Sequence, residues 1–124
     1  SQLKPTNIYS YSKFEKILKE IEKNKKNNIF VIEEDNIIVG TVTIVLETKF
    51  IYDGDKLGHI EDLVVDKEYR KKGYGGNLVD HVVNFCKKNQ CRKIGLCSRP
   101  NAQEFYYKKG FDVIGSYFAK YLKV

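Results

Sequence analysis

The pattern of apolar and polar positions changes period several times along the chain, and each change marks an element. Phe14, Ile17, Leu18 and Ile21 fall at i, i+3, i+4 and i+7 behind a Ser12-Lys13-Phe14-Glu15 capping pattern, which predicts an amphipathic helix over about residues 12–23. Residues 1–11 offer no more than a short strand or cap, and the Lys- and Asn-rich stretch 24–28 ends the helix. β-Branched residues then dominate: 29–33 and 37–47, joined across Glu34-Asp35-Asn36, predict a β-hairpin with Gly40 marking a bulge. Tyr52-Asp53-Gly54-Asp55-Lys56 reads as a turn, and 58–66 as the central strand. Leu78, Val79, Val82, Val83, Phe85 and Cys86 form a wide apolar stripe on a helix over about 77–89, as required of a helix lying flat on a sheet. A short strand at 94–98 follows, then a brief helix opened by Asn101-Ala102-Gln103-Glu104 and ending at Gly110, then closing strands at 111–115 and 117–124. This order predicts a single α/β (α+β) domain over residues 1–124, a mixed sheet flanked by helices.

The stretch from Gly58 to Gly76 carries the candidate chemistry. An apolar strand bearing adjacent carboxylates, Glu61 and Asp62, runs into a basic, glycine-punctuated loop, Arg70-Lys71-Lys72-Gly73-Tyr74-Gly75, that opens a helix. Gly73 and Gly75 remove side chains that would keep backbone N–H groups from a phosphate, and Gly73 can take positive φ. The helix aims its unpaired N–H groups and positive dipole end at the same anion. The spacing R-x-x-G-x-G matches neither the dinucleotide fingerprint nor the Walker loop, and by itself it reads equally well as a tight strand-to-helix turn.

Composition narrows the class. A chain of 124 residues holds one core, and 42% hydrophobic content is enough to pack it despite the many charges. The longest uncharged apolar stretch, 37–46, is about half the roughly 20 residues a membrane helix requires, so no membrane association is expected. Cys86, Cys91 and Cys97 are odd in number and show no metal-ligand spacing, so no metal is expected, and a reducing, cytoplasmic setting fits. The net charge of +6 suits nucleic acid or phosphorylated ligands, but the lysine clusters lack interleaved aromatics, so no nucleic acid is expected.

The run from Val65 to Gly75, followed by a helix, resembles the acetyl-CoA pyrophosphate signature of the GCN5-related N-acetyltransferases. The resemblance is closest to the branch that acetylates glucosamine 6-phosphate: Glu47-x-Lys49-Phe50-Ile51, Gly58-His59-Ile60-Glu61-Asp62 and Phe105-Tyr106-x-Lys108-x-Gly110-Phe111 recur at that branch's spacings. It covers roughly residues 40–124.

The resemblance implies direct attack of a primary amine on the thioester of acetyl-CoA, with no metal. It places the pantetheine arm on the backbone of Leu63, Val64 and Val65, and the pyrophosphate on Arg70, Lys71, Lys72, Gly73, Tyr74, Gly75 and Gly76, with Asn101 and Tyr106 also on the cofactor. Read without it, 63–65 is core strand. It places the Tyr106 hydroxyl against the departing sulfur. A phenol near 10 is about 1.5 units above a thiol near 8.5, so a hydrogen bond to the developing thiolate suits it better than full proton transfer. Glu61 and Asp62 are implied on the amine side, although strand neighbours point to opposite faces unless a bulge intervenes. Asp62 reads equally well as a salt-bridged carboxylate.

Cys97 stands where the related enzymes carry an acidic residue near the amine, which leaves a backbone carbonyl, a relocated base or altered activity as alternatives; on its own it reads as a small buried residue in a strand. Lys49 and Lys120 match positions implied to bind the substrate phosphate, Lys120 from a homodimer partner's C-terminal strand. The bulky residues Tyr117, Phe118, Tyr121 and Leu122 point the same way, because an unpaired apolar edge is an aggregation liability. A polyamine or other small amine is the alternative acceptor, and a non-catalytic acetyl-CoA-binding protein the alternative class.

Overall fold

The sheet grows outward from the hairpin. The structure, a computed structural model, describes residues 11–122, with side chains from residue 15. The element expected within 1–11, the Ser12 cap and the end of the last expected strand therefore lie outside the described residues or side chains. Helix α1 spans Tyr11–Lys23, and strands β1 (Asn27–Glu34) and β2 (Ile37–Thr48) pair antiparallel. The two-residue connection Asp35-Asn36 has φ of 52° and 64°, the left-handed pair that suits the twist of a tight hairpin. Next to Gly40 the register slips: Ile32 faces Gly40 and Glu33 faces Ile38, so Val39 is the extra residue of a bulge.

Strand β3 (Lys56–Val65) pairs antiparallel with β2, and helix α2 (Tyr74–Lys88) crosses over to β4 (Cys91–Gly95), which pairs parallel with β3. The order β1-β2-β3-β4 makes the sheet mixed, with β3 interior. One face buries Val42, Ile44 and Ile60 against Leu78, Val82 and Cys86 of α2. At about 1.5–3 kcal/mol for each fully buried side chain, this contact fixes α2 and therefore the position of its N-terminus. Gly58 allows the close approach: a Cβ there would lie 2.7 Å from the Cys86 Sγ. Burial, with the Cys91 thiol beside it, pushes the Cys86 thiol up to about 12, so it packs as a neutral group.

Three expectations move. Helix α2 begins at Tyr74 rather than 77, because Gly73 at φ 81° already serves as its N-cap. Strand β4 lies at 91–95 rather than 94–98, for a reason set by β3 and described below. Residues 111–122 form no strand, although two were expected there. Their bulky side chains are largely exposed, Phe118 at 91% and Tyr121 at 92%, because alternation marks a segment able to pair but cannot supply the edge it pairs with. Helix α3 (Gln103–Lys108) follows a short turn at Pro100–Ala102 and ends before Gly110 as expected, but without a side-chain cap: Asn101 sits inside the turn.

Candidate functional site

The site begins as a defect in β3. Thr41 faces Val64 whereas Thr43 faces Glu61, so β3 carries one extra residue, and Asp62 has φ 51°. Ile60 before the bulge and Leu63 after it both face the core, with two residues between them instead of one. Glu61 and Asp62 are therefore both exposed on the side away from the core, which strict alternation forbids. Beyond His59 and Gly95, the last registered pair, β3 and β4 separate. That separation ends β4 early and opens the sheet.

Two cavities flank the opening. The smaller, about 340 Å³, is lined by Leu63 and Val65 of β3, Arg70 and Gly75 of the loop and first turn of α2, and Arg99, Asn101 and Phe105. The larger, about 550 Å³, runs along the outer side of β4 past His59 and Gly95 to Phe111 and Tyr117. Cys97, Ser98 and Tyr106 line both, so they form the junction. Tyr106 is 8% exposed and held by the rings of Phe105 and Phe111, at centroid separations of 5.0 and 5.8 Å. Burial raises the pKa of its hydroxyl, which keeps it a hydrogen-bond donor.

The smaller cavity suits a polyanion with a long thin arm. Gly75 lies in the first turn of a 15-residue helix whose opening N–H groups have no intrahelical partner, and a Cβ on Gly75 would fill space 3.7 Å from Phe105. Arg70 lines this cavity while its Nε donates to the Val65 carbonyl at 3.2 Å, which engages one backbone acceptor that the resemblance implied for the arm. Lys71 sits at φ 70° in the loop. Lys72 is turned to Glu34 on β1 at 3.2 Å and lies over the Tyr69 ring, and the bond to Glu34 raises the pKa of its ammonium. Its side chain thus ties the loop to the hairpin. Tyr74 and Gly76 belong to the first turn of α2, and Val64 pairs with Thr41.

Other expected residues lie elsewhere. Cys97 is exposed beyond the end of β4, not buried within a strand. Lys49 pairs with Glu47 at 3.4 Å and lines neither cavity; Lys120 is exposed in the segment without a strand partner and also lines neither. Sequence reading missed Ser98, Arg99 and Phe105 as cavity residues, and missed the ion pair of His59 Nε2 with Glu61 Oε1 at 3.1 Å. The i, i+2 spacing of that pair on one strand face was the available signal. Among the described residues no cluster of His, Cys, Asp or Glu could hold a metal ion, and no helix is long and apolar enough to cross a membrane.

Known proteins share this arrangement. The profile of the Acetyltransferase (GNAT) family matches residues 3–111. The glucosamine 6-phosphate N-acetyltransferase of Arabidopsis thaliana is 34% identical over 124 residues, covering 97% of this chain and 83% of that protein. A probable glucosamine 6-phosphate N-acetyltransferase 2 of Oryza sativa subsp. japonica is 30% identical, covering 98% of this chain and 76% of the relative. The crystal structure of the glucosamine-6-phosphate N-acetyltransferase from Arabidopsis thaliana superposes with a TM-score of 0.85 at 31% identity, over 95% of this chain and 82% of that one. The splayed sheet, the glycine loop at the start of α2 and these matches agree: the chain belongs to the Acetyltransferase (GNAT) family.

Proposed function

We propose that the protein transfers the acetyl group of acetyl-CoA to the amine of D-glucosamine 6-phosphate, giving N-acetylglucosamine 6-phosphate, and does so as a homodimer. The observation that carries this reading is the junction at Tyr106, where a cleft fitted to a phosphorylated cosubstrate meets a second, open cavity on the acceptor side. The relatives named above supply the substrate class.

Acetyl-CoA brings the activated acyl group; the chain's residues bind, orient and manage protons. The first-turn N–H groups of Tyr74, Gly75 and Gly76, with Arg70, hold the pyrophosphate, and Lys71 adds charge at the rim. Lys72 contributes its backbone N–H and keeps its side chain on Glu34. Leu63 and Val64 present strand backbone to the pantetheine arm, and Asn101 closes the far wall. Tyr106 donates a hydrogen bond to the sulfur as negative charge builds there, a contact worth more in the transition state than before it. Glu61 and Asp62, brought to one side by the bulge, face the amino sugar. Cys97 contributes backbone at the junction, and its side chain is dispensable. Lys49 lies off both cavities and paired with Glu47, so the Lys120 of a second copy is left to bind the substrate phosphate as a point charge.

The test is a thiol-release assay across glucosamine 6-phosphate, glucosamine and polyamines, with a thermal shift for acetyl-CoA alongside. Glucosamine 6-phosphate is expected to give the highest kcat/KM. Acetyl-CoA at about 100 times its Kd should stabilise the fold by about 2.7 kcal/mol. Absence of any shift would refute the cosubstrate site, and preference for another amine would refute the acceptor.

A further inference from the structure

An acceptor amine reaches the site mostly as ammonium at neutral pH, since α-amino groups titrate near 8. It must lose a proton before it can attack. Carboxylates near 4 accept such a proton poorly. The open face of β3 offers another group. His59 and Glu61 are two residues apart on that face, and the imidazole Nε2 lies 3.1 Å from Glu61 Oε1. Its other nitrogen, Nδ1, lies over Gly95 of β4, 3.6 Å from the direction in which a Cβ would project, beside the cavity that also reaches Cys97 and Tyr106.

We propose that His59 is the proton acceptor for the incoming amine, with Glu61 as the hydrogen-bond acceptor that orients the imidazole. The inference rests on the acetyltransferase reading above. With Nε2–H donating to Glu61, Nδ1 carries the free lone pair. The ammonium N–H bond breaks and its proton goes to Nδ1, leaving a neutral amine and an imidazolium–carboxylate pair. The amine lone pair forms the N–C bond as the C–S bond breaks. The second amine proton leaves with the sulfur as thiol, and the proton on Nδ1 passes to water. No oxidant or further reactant is required.

The groups facing His59 are compatible with this role. Glu61 lies beside it on β3, and Lys93 and Cys97 of the β4 segment, Tyr106 of α3 and Asp112 of the following segment line the same cavity. On β2, Val45 sits directly across, and Glu47, two residues further along that face, is paired with Lys49.

The experiment compares wild type with His59→Gln and His59→Ala in thiol release at saturating acetyl-CoA. Glutamine keeps an N–H donor for Glu61 but takes up no proton. Both variants are expected to lose about 100-fold or more of kcat/KM for the amine at pH 7 while keeping the acetyl-CoA thermal shift. Added imidazole should restore part of the rate of His59→Ala. The deficit should narrow as pH rises past about 8, where the substrate arrives already neutral. Retention of more than about a third of wild-type kcat/KM by His59→Gln, or a deficit that is the same at every pH, overturns the assignment. The substrate reading fails separately: a wild type that prefers another amine overturns glucosamine 6-phosphate, and the same comparison on that amine still decides the role of His59.

Discussion

The two cavities that meet at Tyr106 differ in how much of each wall regular secondary structure supplies. The smaller is lined by β3, the glycine loop, the first turn of α2 and α3 of a single copy, with β3 and α2 packed on the buried face of the sheet. The larger is walled on its far side by residues 111–117, which belong to no strand and expose Val113 and Ile114. On the reading proposed above, the smaller cavity takes the cosubstrate within one copy, and the larger takes its remaining wall from a second. Binding of the cosubstrate and acetyl transfer should therefore be separable by mutation.

The largest separation is expected from truncating the chain after Gly115, which removes Tyr117, Phe118, Lys120, Tyr121 and Leu122. Acetylation of glucosamine 6-phosphate should fall by more than about 100-fold, the cost of misplacing one reactant. The acetyl-CoA thermal shift should survive, and light scattering should report a monomer. A truncated protein that remains dimeric and fully active would remove the partner from the acceptor site. A smaller effect is expected at the junction. Tyr106→Phe should lower kcat by about 100-fold, as loss of one donor to developing charge does, with KM for acetyl-CoA nearly unchanged. Equal kcat values in pre-steady-state bursts would exclude the hydroxyl from the chemistry. The smallest effect is expected from Cys97→Ser: the side chain is exposed and the proposed contribution is backbone, so stability should change by less than about 0.5 kcal/mol. Strong inactivation of this variant would assign the thiol a role that the geometry does not suggest.

Local signals were legible where one element decides its own form. The hairpin turn at Asp35-Asn36, the bulge by Gly40, the apolar stripe of α2 and the left-handed Gly73 each follow from residue types at fixed spacing, and each stands where the sequence placed it. Arg70, Gly75, Asn101 and Tyr106, which line the smaller cavity together, were singled out through the resemblance of their motifs to a known family. The end of β4 was not, because it depends on β3 turning away at Asp62, more than thirty residues earlier in the chain. The contact of Lys72 with Glu34 was not legible either, because its partner across the fold lies 38 positions away.

The sequence by itself determined the helices and strands from α1 to α3, their order, and the left-handed glycine that opens α2. Periodicity and spacing are properties of neighbours in the chain, and these features need nothing more. Only the tertiary structure decided that Glu61 and Asp62 share a side, that His59 is bound to Glu61, and that residues 111–122 form no strand. A single extra residue in one strand reverses the facing of everything beyond it, and whether an edge is paired depends on what lies beside it in space.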